Sequence, residues 1–252
     1  MNTLSGFFKN IFVNSPAELV MDTQLAADYN ATRAANAQKS FCYAPSVNMY
    51  FSQTGEVKVC CHNTEYTIGT YPQQSIYEIW NSDAAKELRK RMEMWDLSKG
   101  CAVCEFDIKL RAFNQVQARH FDPRPRHADY PTMMEFLISN ECNLGCVMCV
   151  GKYSSLSRKN RKQLPPLRFP YDKTFLKQLE TFIPHLHEAR FSGSGEAFLI
   201  ALNYEIWEMI IRLNPQCVIT VQTNGTVLTD KVKSILQREN CEIGGSLDAL
   251  KK

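Results

Sequence analysis

The chain has 252 residues, 44% of them hydrophobic, enough for one large domain or two modest ones that each bury a core. Its formal charge of +3 at pH 7 sets 29 Lys and Arg against 26 Asp and Glu. That balance is too mild for a protein whose main task is gripping a phosphate backbone, so nucleic acid is not expected as a partner.

Near the start, Phe7, Phe8, Ile11, Phe12 and Val13 are interrupted by Lys9 and Asn10, unlike a signal peptide, and nothing else approaches the roughly twenty apolar residues of a membrane span. A cytoplasmic chain without a membrane partner is expected. In that compartment ten cysteines point to metal ligands or reactive thiols, because the redox poise disfavours disulfides.

Residues 1–40 form a polar, Ala-rich lead-in with a short helix within 17–35 and no assignable chemistry. From Phe41 the pattern changes. Val47, Met49 and Phe51 alternate, Gln53, Thr54 and Gly55 make a turn, and Val57 and Val59 alternate again, which predicts a hairpin. Ser75 with Glu78 three residues on makes a capping box, and Ile76, Ile79, Trp80, Ala84 and Leu88 follow at helical spacing, predicting one helix of about four turns. Gly100 is the expected helix stop, just before Cys101 and Cys104. Residues 41–108 thus read as a small α+β module. A stretch rich in Arg and Pro, 109–131, reads as a linker.

From 132 to 252 strands and helices alternate. Strands are predicted over 134–139, 189–192, 217–223 and 241–246. Helices are predicted after the cap Asp172, over 204–213 and over 229–237. This alternation implies an α/β fold with parallel strands and right-handed crossovers.

Directly after the first of these strands comes Cys142-Asn143-Leu144-Gly145-Cys146-Val147-Met148-Cys149, a CxxxCxxC. Positions i, i+4 and i+7 share a helix face, so three buried apolar thiols are the alternative. Gly145 and the polar Asn140, Glu141 and Asn143 argue against a helix there. Three thiolates leave a cluster one ligand short, and an open metal position signals catalysis.

A second set lies in the first module. Seventeen residues separate Cys42 from Cys60 and forty separate Cys60 from Cys101, which opens a CxxC with Cys104. Four thiolates close a tetrahedral set, and spacing alone leaves both a structural zinc and a 4Fe-4S cluster open. Cys61 and His62 adjoin Cys60 but are read as non-ligands, since neighbours on a strand face opposite ways. Cys217 and Cys241 start strands and are read as buried hydrophobes.

The CxxxCxxC resembles that of the radical SAM superfamily, whose loop holds three irons of a 4Fe-4S cluster while the fourth takes the amino and carboxylate groups of S-adenosylmethionine. The resemblance extends over 133–252. Ser192-Gly193-Ser194-Gly195-Glu196 looks like the family's Gly-Gly-Glu element after the second strand, with Glu196 accepting from the ligand's ammonium. Thr223-Asn224-Gly225 and Ser246-Leu247-Asp248-Ala249 end the third and fourth strands in forms the family also shows. By resemblance Gly195, Glu196, Asn224, Ser246 and Asp248 contact the cofactor, and Met148 packs on its adenine where the family commonly has an aromatic. A turn at Asn224-Gly225 and a helix cap at Ser246 are the alternative.

The first module is similar to the twitch or SPASM-type auxiliary-cluster module of the same family, carried by Cys42, Gly55 five positions before Cys60, Ile79-Trp80-Asn81 and the Cys101–Cys104 pair. The further cysteines of the longer SPASM version are absent, so one auxiliary 4Fe-4S cluster is implied. In the family this module usually follows the barrel; here it precedes it.

The resemblance therefore implies a partial (β/α) barrel of about four of the six strands, truncated at the C-terminus and preceded by an auxiliary module. It implies an oxidoreductase or maturase that cleaves S-adenosylmethionine reductively to a 5'-deoxyadenosyl radical and abstracts a substrate hydrogen. Implied partners are a peptide or small-molecule substrate and an external electron donor such as flavodoxin or ferredoxin. A non-catalytic zinc module and a two-cluster electron carrier are the alternatives. After the cluster loop, Lys152, Arg158, Lys159, Arg161 and Lys162 read as a solvated loop, with contact to an acidic peptide or RNA as the lesser reading.

Overall fold

A computed structural model describes residues 21–63 and 65–246. Part of the expected lead-in helix and Asp248 fall outside them. The strands are β1 (Asn48–Phe51), β2 (Glu56–Lys58), β3 (Gly69–Thr70), β4 (Met133–Phe136), β5 (Glu188–Phe191), β6 (Val218–Thr223) and β7 (Cys241–Gly245). They form one seven-stranded sheet in the order β3-β2-β1-β4-β5-β6-β7. The hairpin strands pair antiparallel, and β1, β4, β5, β6 and β7 run parallel. The architecture is mixed α/β.

The hairpin does not stand apart from the α/β segment. β1 lies parallel to β4, with Asn48 beside Met133 and Phe51 beside Phe136, and the 109–131 stretch adds Val116, Ala118 and Phe121 to the same buried cluster. Sequence periodicity had no means of showing this, because a parallel pairing across more than eighty residues leaves no local mark.

The helices are α1 (Thr23–Asn30), α2 (Ala44–Val47), α3 (Ile76–Trp80), α4 (Asp83–Glu93), α5 (Ala102–Lys109), α6 (Ser155–Asn160), α7 (Lys173–Phe182), α8 (Ala201–Leu213) and α9 (Asp230–Leu236). The capping box at Ser75 forms as expected, but the helix stops at Trp80, and Ser82 caps a second one by accepting from the N–H of Ala85. Two caps in succession break the predicted four-turn helix, and Ala85 rather than Ala84 enters the core. That second helix ends at Glu93, well before Gly100, with Trp95 at φ 59° just beyond it. Gly55 turns the hairpin at φ 89°, where a Cβ would meet the Tyr71 carbonyl oxygen at 2.1 Å. No described helix is long and apolar enough to cross a membrane.

Strand alternation gives the sheet two unlike faces. One carries Met49, Phe51, Met134, Phe136, Ala189, Phe191, Ile219 and Val221, all buried. The rings of Phe51 and Phe136 on this face pack on Phe175 of α7, and Phe191 packs on Trp207 of α8. The other face carries Asn48, Tyr50, Glu135, Glu188, Arg190, Thr220 and Gln222. Glu188 there is held by Arg124 and Arg190 and accepts from the Thr220 hydroxyl at 3.0 Å. Burying these charges is tolerable only because they are paired.

Candidate metal centres

The cleft at the carboxyl ends of the parallel strands has a volume of about 270 Å³ and is lined by Cys142, Cys146 and Cys149 together with Met148, Gly195, Asn224 and Ser246. These seven residues come from four separate strand ends, those of β4, β5, β6 and β7, and strand carboxyl ends are where α/β sheets collect ligands. Gln222 and Tyr153 also line it, and the Gln222 amide donates to Ser246 Oγ at 2.8 Å. Among the described lining residues no fourth thiol, imidazole or carboxylate faces the three cysteines. That donor set fits a cluster with one iron left for an exogenous ligand.

The cysteine loop is fixed by its own backbone. Cys142 N–H donates to Ser155 Oγ at 3.1 Å, and Cys149 N–H donates to the Cys146 carbonyl at 3.0 Å. Asn224 Nδ2 donates to Asn143 Oδ1 at 3.1 Å and approaches Cys142 Sγ at 3.9 Å. Arg161 reaches back to the loop and donates to the carbonyls of Cys146 at 2.6 Å, Val147 at 2.8 Å and Cys149 at 3.2 Å. Sequence reading placed Arg161 in a solvated run. Nothing local reveals a contact that spans twelve to fifteen residues. Burial, followed by the neighbouring Cys142 and Cys146, raises the Cys149 thiol, while Arg161 opposes the shift.

Gly195, at φ 66°, packs so closely that a Cβ would stand 2.4 Å from the Glu141 carbonyl oxygen. Its N–H donates to the Tyr153 carbonyl at 2.9 Å, and the N–H of Glu196 donates to the Glu141 carbonyl at 2.6 Å. The glycine thus seats the loop after β5 on the cysteine loop. Glu196 departs from the expectation of an ammonium acceptor. Its side chain is fully buried and accepts from Thr223 Oγ1 at 2.7 Å, from the N–H of Asn224 at 2.7 Å and from the N–H of Phe198 at 3.2 Å. With three donors already engaged, it supports Asn224 from beneath instead of lining the cleft.

The second set lies at the other end of the strands. Cys42, Cys60, Cys101 and Cys104 line one interior cavity with His62, Met92 and Phe121. Cys42 precedes β1, and Cys60 follows β2 at the level of Asn48, whose amide donates to the Val59 carbonyl at 2.9 Å. From that level to the cysteine loop after β4 is on the order of 20 Å at the rise of a strand.

Burial, then the neighbouring Cys104, Asp96 and Glu105, pushes Cys101 up to about 12; burial pushes Cys104 to about 11 and holds Cys42 and Cys60 well above the ordinary thiol value. Such thiols stay protonated until a metal displaces the protons. Backbone N–H groups already point at them: Ala44 at Cys42, Asn63 at Cys60, and Ala118 and Gln117 at Cys104. Among the described residues no three His, Cys, Asp or Glu are gathered as they would be around a single ion. A cubane would bind each of the four thiolates through a different iron.

Of the two residues beside Cys60, Cys61 is exposed and lies near Glu135 and Arg190, away from the cavity. His62 lines the cavity, and its Nδ1 is buried without a partner among the described residues.

Fold and donor set together define a mixed α/β protein with a cysteine-lined module suited to an iron-sulfur cluster. Residues 42–105 match the family model of SPASM, the iron-sulfur cluster-binding domain, and that span contains all four cysteines of the interior set. No curated protein and no solved structure matches the chain.

Proposed function

We propose that the chain is a radical SAM oxidoreductase or maturase, with a 4Fe-4S cluster on Cys142, Cys146 and Cys149 and an auxiliary 4Fe-4S cluster on Cys42, Cys60, Cys101 and Cys104. The observation that carries this reading is the cleft: three thiols, with no fourth ligand among the described lining residues, stand opposite Gly195, Asn224 and Ser246 at the ends of parallel strands. Cys142, Cys146 and Cys149 would hold the cluster, which when bound and reduced would supply the one electron for cleavage of S-adenosylmethionine to methionine and a 5'-deoxyadenosyl radical able to take a substrate hydrogen.

The residues of the chain bind and orient. The open backbone at Gly195 lets the methionine end approach, Asn224 and Ser246 offer polar groups to its carboxylate or ribose, and Met148 covers the adenine. Glu196 and Arg161 hold the two cleft loops in place. The SPASM match supports iron-sulfur binding at the interior set. Its distance from the cleft favours electron relay or anchoring of the sheet end over direct contact with substrate. Tyr50, on the polar face of the sheet, is raised at its hydroxyl by burial first, then by Glu135, with smaller effects from Cys61, Tyr153 and Cys60.

Anaerobic reconstitution of the full chain, followed by dithionite and S-adenosylmethionine, tests the reading. It predicts 5'-deoxyadenosine from the intact protein and none from C142A. An intact cluster that produces no 5'-deoxyadenosine in any condition would leave only the electron carrier.

A further inference from the structure

Segment 142–171 holds six of the 29 Lys and Arg of the chain and none of its 26 Asp and Glu. Among the described residues none of the six pairs with a carboxylate. Arg161 and Arg158 bind backbone carbonyls. Lys152, Lys159, Lys162 and Arg168 are exposed. A merely solvated face would mix both signs, since like charges left unpaired repel.

The same segment makes a groove of about 500 Å³ between α6 and the chain that follows it. Leu156, Leu164, Leu167 and Phe169 line it, with Arg158 and Lys159 at the rim. Leu164 is 47% and Phe169 37% exposed. An apolar surface rimmed by charge is the mark of an interaction site.

We propose that this groove docks an acidic peptide segment, one apolar side chain entering between Leu164 and Phe169 while its carboxylates meet Lys159, Lys162 and Arg158. Glu141, an exposed residue in the lining, disfavours a carboxylate beside it. RNA is disfavoured because Phe169 is the only aromatic ring among the described lining residues, so a run of bases finds one stacking platform and otherwise aliphatic walls. The groove shares its floor with the cleft: Ser155 N–H donates to the Asn140 carbonyl at 2.7 Å, and Ser155 Oγ accepts from Cys142. A docked segment therefore lies against the back of the cysteine loop. The inference stands apart from the redox reading, because binding is measured without turnover.

Anisotropy of a fluorescein-labelled peptide of Glu-Glu-Leu repeats, titrated with the full chain, tests it. Saturable binding that weakens with salt is expected. K159E/K162E and L164S/F169S should each weaken it by roughly tenfold or more, with melting curves confirming that these surface variants fold. A polyglutamate probe without Leu should bind far less well. Equal binding of polyglutamate, undiminished binding by either double variant, or tighter binding of a single-stranded RNA of matched charge would overturn the proposal.

Discussion

The carboxylate of Glu196 accepts the backbone N–H of Asn224 at 2.7 Å, tying the loop after β5 to the end of β6 beneath the cleft. Removing it would leave that N–H, the Thr223 hydroxyl and the N–H of Phe198 without their acceptor in a buried site. E196A should therefore lower stability by about 2–4 kcal/mol, read from the urea midpoint, because stranded buried donors cost more than the bonds they made. S-adenosylmethionine affinity should fall with it, as Asn224 loses its support. An unchanged midpoint would refute the buried role.

Arg161 is the second support. It faces solvent, so its three hydrogen bonds to the cysteine-loop carbonyls contribute only on the order of 1 kcal/mol to folding. Their effect should appear in the cluster instead. R161A should reconstitute with less iron and sulfide at the Cys142 loop and full occupancy of the Cys42 set, and R161K should recover part of the loss because Lys offers no planar fork. Equal depletion of both sets would show general destabilisation.

Much of this was legible in the chain itself. The four strands after residue 132, the Asp172 cap and the convergence of Cys142, Gly195, Asn224 and Ser246 follow from local alternation and from motifs placed at strand ends. The pairing of β1 with β4 was not legible, because the two lie far apart in sequence and carry no shared signal. The same holds for the burial of Glu196, whose partners Thr223 and Asn224 lie at the end of another strand, and for Arg161, whose targets lie twelve to fifteen residues away. The split at Ser82 was present in the sequence as a second capping residue, hidden by the apolar spacing that runs across it.

Glu135 tests the polar face of the sheet. It is almost completely buried, and burial raises its carboxyl above the usual range although the Asn48 amide, 2.6 Å away, opposes the shift. A carboxyl with a raised native pKa binds its proton more tightly when folded, so it lowers stability as pH rises above the unfolded value of about 4.5 toward the native one. E135Q keeps the shape and an acceptor for Asn48 while removing the charge. Its melting temperature should exceed that of the wild type at pH 8 and match it near pH 4. The opposite ordering at pH 8 would mean that the ionised group is stabilised by Arg190 and Arg124.

His62 gives the sharpest test of the interior set. Its Nδ1 is buried beside four thiols and lacks a partner among the described residues, an arrangement that costs free energy unless something in the cavity accepts or donates. A cluster there supplies sulfurs, and a hydrogen bond to a cluster sulfur stabilises the more negative reduced state and so raises its potential. H62F should lower the midpoint potential of the auxiliary cluster and alter its reduced-state EPR signal, while the Cys142 cluster keeps its own. H62Q, which restores a donor, should move the potential back toward the wild type. A potential unmoved in H62F would place His62 outside hydrogen-bonding reach of the cluster. A colourless module loaded with zinc would remove the auxiliary cluster itself.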